Sequence, residues 1–385
     1  MRSLPNPLLS LLLACTLALL APAWAGAETG VSDKEIRIGM ANALSGPASG
    51  LGSGLKKGAS VFFDKLNAGG GIHGRKIRLI SEDDGYEPTK TAQATEKLIK
   101  QDQVFALFGY VGTPTTKAVL PLIARHEIPL FGPFTGADIL RTPVERWVFN
   151  VRASYFEEAE LQVNHLIKDH GITRIGVFIQ GDAFGLAGNE SIKRALEKHG
   201  LKPVAEGRYQ RNSDNIDGAL ASLHAGNPQA VIMVGTYTAC AAFVKKARNS
   251  GFTPKLSSLS FIGTQDFIDA AGSDGELITI SQVMPSPHDA TLPLVKQYQQ
   301  DMRAAGYPNF DYTSLEGYVD AAILAEALKV SGADLTRRSL LQTLEKLHFN
   351  LGGLPVNFSN GMHQGLQQVY LTQVRKGRAV PVNKL

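Results

Sequence analysis

The stretch best suited to bind a small molecule is Gly109-Tyr110-Val111-Gly112-Thr113-Pro114-Thr115-Thr116. It directly follows an apolar run and directly precedes a helical pattern. Thr113 reads as the N-cap and Pro114 fits the first helical position. Such a junction offers free backbone N–H groups, hydroxyls and the positive end of a helix dipole. It suits a carboxylate or another electron-rich group. A merely capped helix has the same local sequence. What distinguishes this one is its place beyond the carboxyl end of a strand, where open α/β sheets bind their ligands.

Similar strand ends recur. Gly132-Pro133-Phe134-Thr135-Gly136 combines close backbone approach with an apolar face and a hydroxyl. Gln180-Gly181-Asp182-Ala183-Phe184-Gly185 and Gly235-Thr236-Tyr237 follow two later apolar runs. Aromatic groups with scattered hydroxyls fit a small-molecule cleft.

Other motifs read as structural. Gly69-Gly70-Gly71-Ile72-His73-Gly74 matches a dinucleotide fingerprint, but it leaves a helix and enters a strand, the reverse of what that site requires. It reads as a helix C-cap and tight turn. Glu82-Asp83-Asp84 reads as a solvated strand-to-helix loop, with too few convergent ligands for a metal. The histidines show no metal-ligand spacing, and no nucleophile elbow, phosphate loop or zinc-type cysteine pair occurs. No catalytic residue, metal site or cofactor is assigned. Cys240, in an Ala-rich helical stretch, reads as a small buried apolar residue.

The elements that must position these junctions alternate. Strands are expected at 36–41, 76–81, 104–108 and 128–131, with helices at 55–67, 89–101 and 115–126 between them. The rhythm repeats with strands at 174–179, 204–209, 230–234 and 256–261 and helices at 186–199, 216–225 and 238–250. This βαβα order predicts two doubly wound parallel sheets with a break near Trp147–Ala153. Helices at 292–305, 314–330 and 336–347 follow. The tail reads as two short strands, 352–358 and 367–374, joined by the turn Ser359-Asn360-Gly361. No long linker separates the lobes, so the chain is expected to cross between them more than once.

The N-terminus has the form of a secretory signal over residues 1–25: Arg2, an apolar run from Leu8 to Leu20, and Ala23-Trp24-Ala25 before the cleavage point. Leu12-Leu13-Ala14-Cys15 offers a competing lipoprotein reading, but the apolar run continues past Cys15. Loss of Arg2 takes the formal net charge from +4 to +3, and no basic run is present, which gives nucleic-acid binding no support. At about 150 residues per domain, the length suggests two or three domains.

Several segments resemble the type I periplasmic binding proteins of the branched-chain amino acid family. They are Ile36-Arg37-Ile38-Gly39 through Leu44-Ser45-Gly46-Pro47, Asn67-Ala68-Gly69-Gly70-Gly71-Ile72-His73-Gly74-Arg75-Lys76-Ile77, Asp83-Asp84-Gly85-Tyr86-Glu87-Pro88 and Asp182-Ala183-Phe184-Gly185. The resemblance implies an α/β fold of two Rossmann-like lobes joined by three crossovers, with a ligand in the cleft. It places lobe 1 at 28–151 plus 284–350 and lobe 2 at 152–283 plus 351–385. The crossovers then fall near Val151-Arg152, Gln282-Val283 and Asn350-Leu351. The family's carboxylate-binding serine falls on Thr113 and the threonine of its second junction on Gly136. Its aromatic lid residue falls on Leu51, its lobe 2 tyrosine on Tyr237 and its ammonium-binding glutamate on Ser260. The family's disulfide cysteines fall on Tyr86 and Gly112. The strand-end residues and the resemblance together give the expected ligand-binding set: Ser45, Leu51, Thr113, Phe134, Thr135, Gly136, Tyr155, Phe184, Tyr237 and Ser260.

The expected function is therefore that of a monomeric periplasmic solute-binding protein. It closes on a small organic ligand by hinge motion and delivers it to ABC permease subunits in the inner membrane. With serine at position 260, a carboxylate or amide without an ammonium, aromatic or otherwise, is favoured over a branched-chain or other amino acid unless Asp182, Asp266 or Glu316 substitutes. A ligand sensor that presents its closed form to a membrane kinase or receptor is the alternative. An enzyme on the same fold is the weakest reading.

Overall fold

The computed structural model describes residues 28–382. The expected signal segment, its cleavage point and Cys15 lie outside the described residues. The first sheet contains β1 (Glu35–Asn42), β2 (Lys76–Asp83), β3 (Ala106–Phe108), β4 (Leu130–Phe131) and β5 (Val148–Phe149), in the spatial order β2-β1-β3-β4-β5. All four pairings are parallel. The connections run through α1 (Ser49–Ala68), α2 (Pro88–Lys100) and α3 (Thr113–His126).

The second half repeats the plan. After α4 (Tyr155–Lys168) come β6 (Ile175–Gln180), α5 (Ala183–Glu197), β7 (Ala205–Tyr209), α6 (Asp217–Gly226), β8 (Ala230–Val234), α7 (Tyr237–Asn249), β9 (Lys255–Ser258), α8 (Thr264–Ala271) and β10 (Thr279–Gln282). Their parallel order, β10-β9-β8-β6-β7, is the first sheet's order in mirror listing. β6 and β8 are buried at every position, as apolar runs covered by helices on both faces must be. In each sheet the strand order reverses beside the first strand, between β1 and β3 and between β6 and β8. The crevice beyond those carboxyl ends is where this topology accommodates ligands.

The chain then forms α9 (Pro293–Ala304), α10 (Tyr312–Val330), α11 (Arg337–Leu344), β11 (His348–Leu351), β12 (Leu354–Asn357), β13 (Tyr370–Arg375) and β14 (Arg378–Pro381). Helix α10 is apolar on nearly all faces and buried along most of its length. It meets α1 backbone to backbone. A methyl group at Gly58 would lie 1.8 Å from the Ser314 carbonyl oxygen, and one at Gly317 would lie 2.0 Å from that of Leu55. These glycines bring α10 close enough to the first lobe to hold Glu316 beside the cleft.

Several expectations need correction. The two tail strands do not pair with each other. β12 forms a hairpin with β11, while β13 joins the second sheet between β10 and β14. The reason is packing: Phe358, just after β12, lies between Phe131 and Phe149 of the first sheet, 6.0 Å from each ring. The final passage between the sheets therefore lies between Phe358 and Tyr370, later than the Asn350-Leu351 expected.

The strand expected to reach Phe261 ends at Ser258, and Ser260–Ile262 is a 3-10 turn. The Ser260 N–H is drawn off to the Glu158 carboxylate, at 2.7 Å. The Glu82-Asp83-Asp84 cluster is not all solvated. Asp84 is fully buried and accepts hydrogen bonds from the Tyr86 N–H (2.8 Å) and the Thr91 hydroxyl (2.9 Å). The triple glycine does close a helix and turn the chain into β2, with Gly69 as C-cap and Ile72 bridged to Arg75. Cys240 is buried within α7.

Candidate functional site

The first junction differs by one residue from the sequence reading. Gly112, not Thr113, is the N-cap of α3, with φ 102° and ψ 152°, a backbone that favours glycine. A side chain there would also strike the Tyr86 ring, 2.3 Å from where its Cβ would stand. Tyr86 and Gly112, where the resemblance puts a disulfide, thus lie in contact, and the ring fills the space. Thr113 becomes the first residue of the helix and is buried.

The Thr113 and Thr135 hydroxyls share a hydrogen bond of 2.7 Å, and the Thr135 hydroxyl donates to the Tyr155 oxygen at 3.1 Å. Burial raises the Tyr155 phenol to about 12, so its proton stays in place at the end of this chain of donors. Gly136 leaves the room that the Tyr155 ring occupies, since a Cβ there would lie 2.6 Å from it. The two junctions are also joined by their backbones, with Phe134 N–H donating to the Tyr110 carbonyl at 2.8 Å and Gly112 N–H to that of Phe134 at 3.2 Å.

Beneath the second junction lies Arg141, fully enclosed. Its guanidinium donates only to neutral oxygens: the carbonyls of Thr135, Ala137 and Arg152 and the side chain of Gln364. Burial, and then the charge of Arg152, lower it to about 10, still protonated at neutral pH.

The second lobe supplies Phe184 and Phe261. These two rings are 4.3 Å apart, Phe184 is 5.6 Å from Tyr155, and Phe261 is 5.5 Å from Phe134. All four are buried. Arg152 lies 3.9 Å over the Phe134 ring. Its guanidinium grips Glu316 in a fork, with both hydrogen bonds at 2.7 Å, and donates to the Ser260 hydroxyl at 3.2 Å. Ser260 in turn holds Glu158 through its N–H and its hydroxyl, and Ser281 adds a third bond at 2.6 Å. Burial raises the Glu158 carboxyl, opposed by Arg152 and these donors.

At one rim, Gly50 N–H donates to the Tyr237 hydroxyl at 3.2 Å and Thr238 donates to the Pro47 carbonyl at 2.8 Å. Leu51 is buried against Gly263. At the other rim, Arg211 bridges Asp182 (2.9 Å) and Glu87 (2.8 Å), Asn212 donates to the Gly85 carbonyl, and Gln180 donates to Tyr86. The two sheets' carboxyl ends thus meet in a closed arrangement.

Of the ten candidate residues, the structure brings Thr113, Phe134, Thr135, Gly136, Tyr155, Phe184 and Ser260 into one cluster, and puts Leu51 and Tyr237 at its rim. Ser45 does not join them. It is exposed, with its N–H on Asp83 at 3.1 Å. Sequence reasoning points to none of Arg141, Glu158 and Phe261 as site residues, and to Arg152 only as a crossover residue. A readable signal for the last was a lone arginine between a strand and the capping box of Ser154 and Glu157. Among the described residues, no three side chains form a metal-ligating group.

The sequence matches the family described as periplasmic binding protein over residues 35–379. The chain belongs to that family. It is a binding-protein family rather than an enzyme family, and it implies a periplasmic location. Among solved structures, a possible leucine/isoleucine/valine-binding protein from Rhodopirellula baltica SH 1 has a TM-score of 0.87 at 34% identity, covering 93% of this chain and 98% of that one. A fatty acid ABC transporter substrate-binding protein from Thermomonospora curvata has a TM-score of 0.83 at 21% identity, covering 94% of each chain. An amino acid binding protein of Pseudomonas aeruginosa is 23% identical, covering 78% of this chain and 80% of its own length. The fold is that of the type I periplasmic binding proteins.

Proposed function

We propose that this periplasmic binding protein captures a small organic ligand between its lobes and delivers it to the permease of an ABC importer. The observation that carries the reading is the meeting of both topological switch points around one buried lining of hydroxyls and aromatic rings. Closure is a hinge motion: a ligand touching both linings shifts the population from open to closed, and the permease receives the closed form. Residues 1–25 serve as a cleaved export signal, and the protein acts as a monomer.

The ligand presents a carboxylate or amide to Thr113 and the start of α3. The names of the similar proteins span two classes, amino acids and fatty acids, and both carry a carboxylate. Thr113→Val keeps the side-chain volume and removes the hydroxyl. Loss of a hydrogen bond to a charged group, about 1.5–3 kcal/mol, weakens binding roughly 10- to 100-fold. Thr135 keeps Tyr155 as a partner, so folding stability changes by about 1 kcal/mol or less. Calorimetric titration of wild type and variant with the co-purified ligand reads this, and unchanged affinity refutes the assignment.

A further inference from the structure

We infer that the lobes take up a proton at Asp266 when they close, so that capture tightens as the surrounding medium turns acidic. This rests on the hinge closure proposed above and adds a control to it. Asp266 stands in the first turn of α8, in the second lobe. Its carboxylate lies against Gly50, in the first turn of α1 in the first lobe. A Cβ on Gly50 would stand 2.5 Å from Oδ1 and 2.6 Å from Oδ2. Gly263 of its own lobe is also close, and a Cβ there would stand 3.3 Å from Oδ2. Closure therefore moves the group from water into a seam between two glycine backbones.

The seam gives an ionised carboxylate little to hold. Among the described residues, no hydrogen bond reaches either oxygen. The nearest N–H groups, at the start of α1, are already spent. Ser49 donates to the Gly46 carbonyl and Leu51 to that of Ala48, both at 3.1 Å, and Gly50 donates to the Tyr237 hydroxyl of α7 at 3.2 Å. The residual dipole at that helix start favours the anion by a factor of about 2 to 5, which desolvation outweighs.

The charges acting on Asp266 among the described residues are Asp311, the N-cap of α10, Asp269 of its own helix, and Lys57 of α1. Asp311 is fixed in place by the Ser314 N–H at 2.7 Å, and Lys57 is shared with it at 3.8 Å. His288, after β10, and Arg378, of β14, act on each other, and His288 also on Asp311, but neither acts on Asp266. Burial, then Asp311 and Asp269, raise the Asp266 carboxyl to about 6, with Lys57 opposing. Gly50, Asp311 and Lys57 all belong to the first lobe. Opening withdraws them, and the group returns toward the ordinary carboxylate range. The closed form then holds the proton more tightly than the open one, so closure gains as pH falls through about 6.

The test follows closure of the mature chain as yeast extract, a mixed nutrient source, is added in a dilution series at pH 7 and at pH 5. Spin labels at Glu96→Cys and Ser222→Cys, exposed positions on α2 and α6, report the distance between the lobes. Wild type is compared with Asp266→Asn, which carries the neutral form at every pH, and with Asp266→Ala, which removes the group outright. Asp84 keeps its own response in all three, so the difference between them isolates Asp266. At pH 7, Asp266→Asn is expected to close at an extract concentration at least about 10-fold lower than wild type needs. At pH 5 that advantage shrinks roughly 5- to 10-fold, because wild type has gained the proton. Asp266→Ala loses the same pH response. Wild type and variants that respond to pH alike overturn the inference but leave the solute-binding reading intact, because closure still follows a small molecule. An Asp266→Asn protein that closes less readily than wild type at pH 7 also overturns it. No closure of any of the three with the extract overturns the underlying reading.

Discussion

Separating Arg152 from Glu316 should be among the costliest single changes in the molecule. Their side chains are 1% and 4% exposed, and the fork closes with two hydrogen bonds of 2.7 Å. Glu316→Gln leaves a guanidinium buried without its counter-charge, which costs about 3–5 kcal/mol of folding stability. Arg152→Met leaves Glu316 beside Asp320, and the two carboxyls resist sharing a buried site. Protonation relieves that variant, so its deficit shrinks as pH falls. The double change Arg152→Met with Glu316→Leu removes both charges and restores apolar contact with Phe134. Its cost falls to about 1 kcal/mol or less. Equilibrium urea unfolding of the four proteins at pH 7 closes the cycle, with a coupling of several kcal/mol. Single losses below about 1 kcal/mol, or a double loss equal to the sum of the singles, would refute the view that this pair is a mutually dependent buried unit.

Asp84 gives a pH signature. Burial, chiefly, raises its carboxyl from 3.8 to about 6. The folded state therefore holds the proton more tightly than the unfolded chain does. The group's favourable contribution is complete below pH 3.8 and is lost as pH rises through about 6, a change of about 3 kcal/mol. The stability difference between wild type and Asp84→Asn should follow that slope in unfolding experiments at pH 4, 6 and 8, and a flat difference would count against it. Arg211→Ala removes the bridge between Asp182 and Glu87 but touches little of either lobe's core. Because Arg211 is partly exposed, the loss is at most about 1 kcal/mol. It should appear as ligand release up to about 5-fold faster, read by stopped-flow fluorescence, with the unfolding midpoint nearly unchanged.

The βαβ rhythm was legible because its signals are local. Apolar runs such as Ala230–Val234 declare a buried strand, and periodic apolar positions declare the helices around it. The strand-end junctions were legible for the same reason, and Thr113, Thr135 and Tyr155 do converge. Strand β10 escaped because Thr279–Gln282 buries hydroxyls and an amide rather than an apolar run. Ser281 finds its partner in Glu158, and Gln282 in Thr264 and Thr372, from other parts of the chain. Arg152 and Glu316 are 164 residues apart, and no spacing rule reaches that far. Asp84 looked solvated because its partner Thr91 lies in the next helix, a turn away in space but outside the acidic cluster. Helix α4 does carry a local signal, since Ser154 and Glu157 spell a capping box.

The central claim is that a small molecule holds the two lobes together. Native mass spectrometry of the protein purified without denaturation tests it directly. The account predicts a one-to-one noncovalent adduct of a small acid that is lost on unfolding, with small-angle scattering showing a more extended protein once it is gone. A bare chain whose scattering is unchanged by unfolding, refolding and re-exposure to the native extract would contradict it.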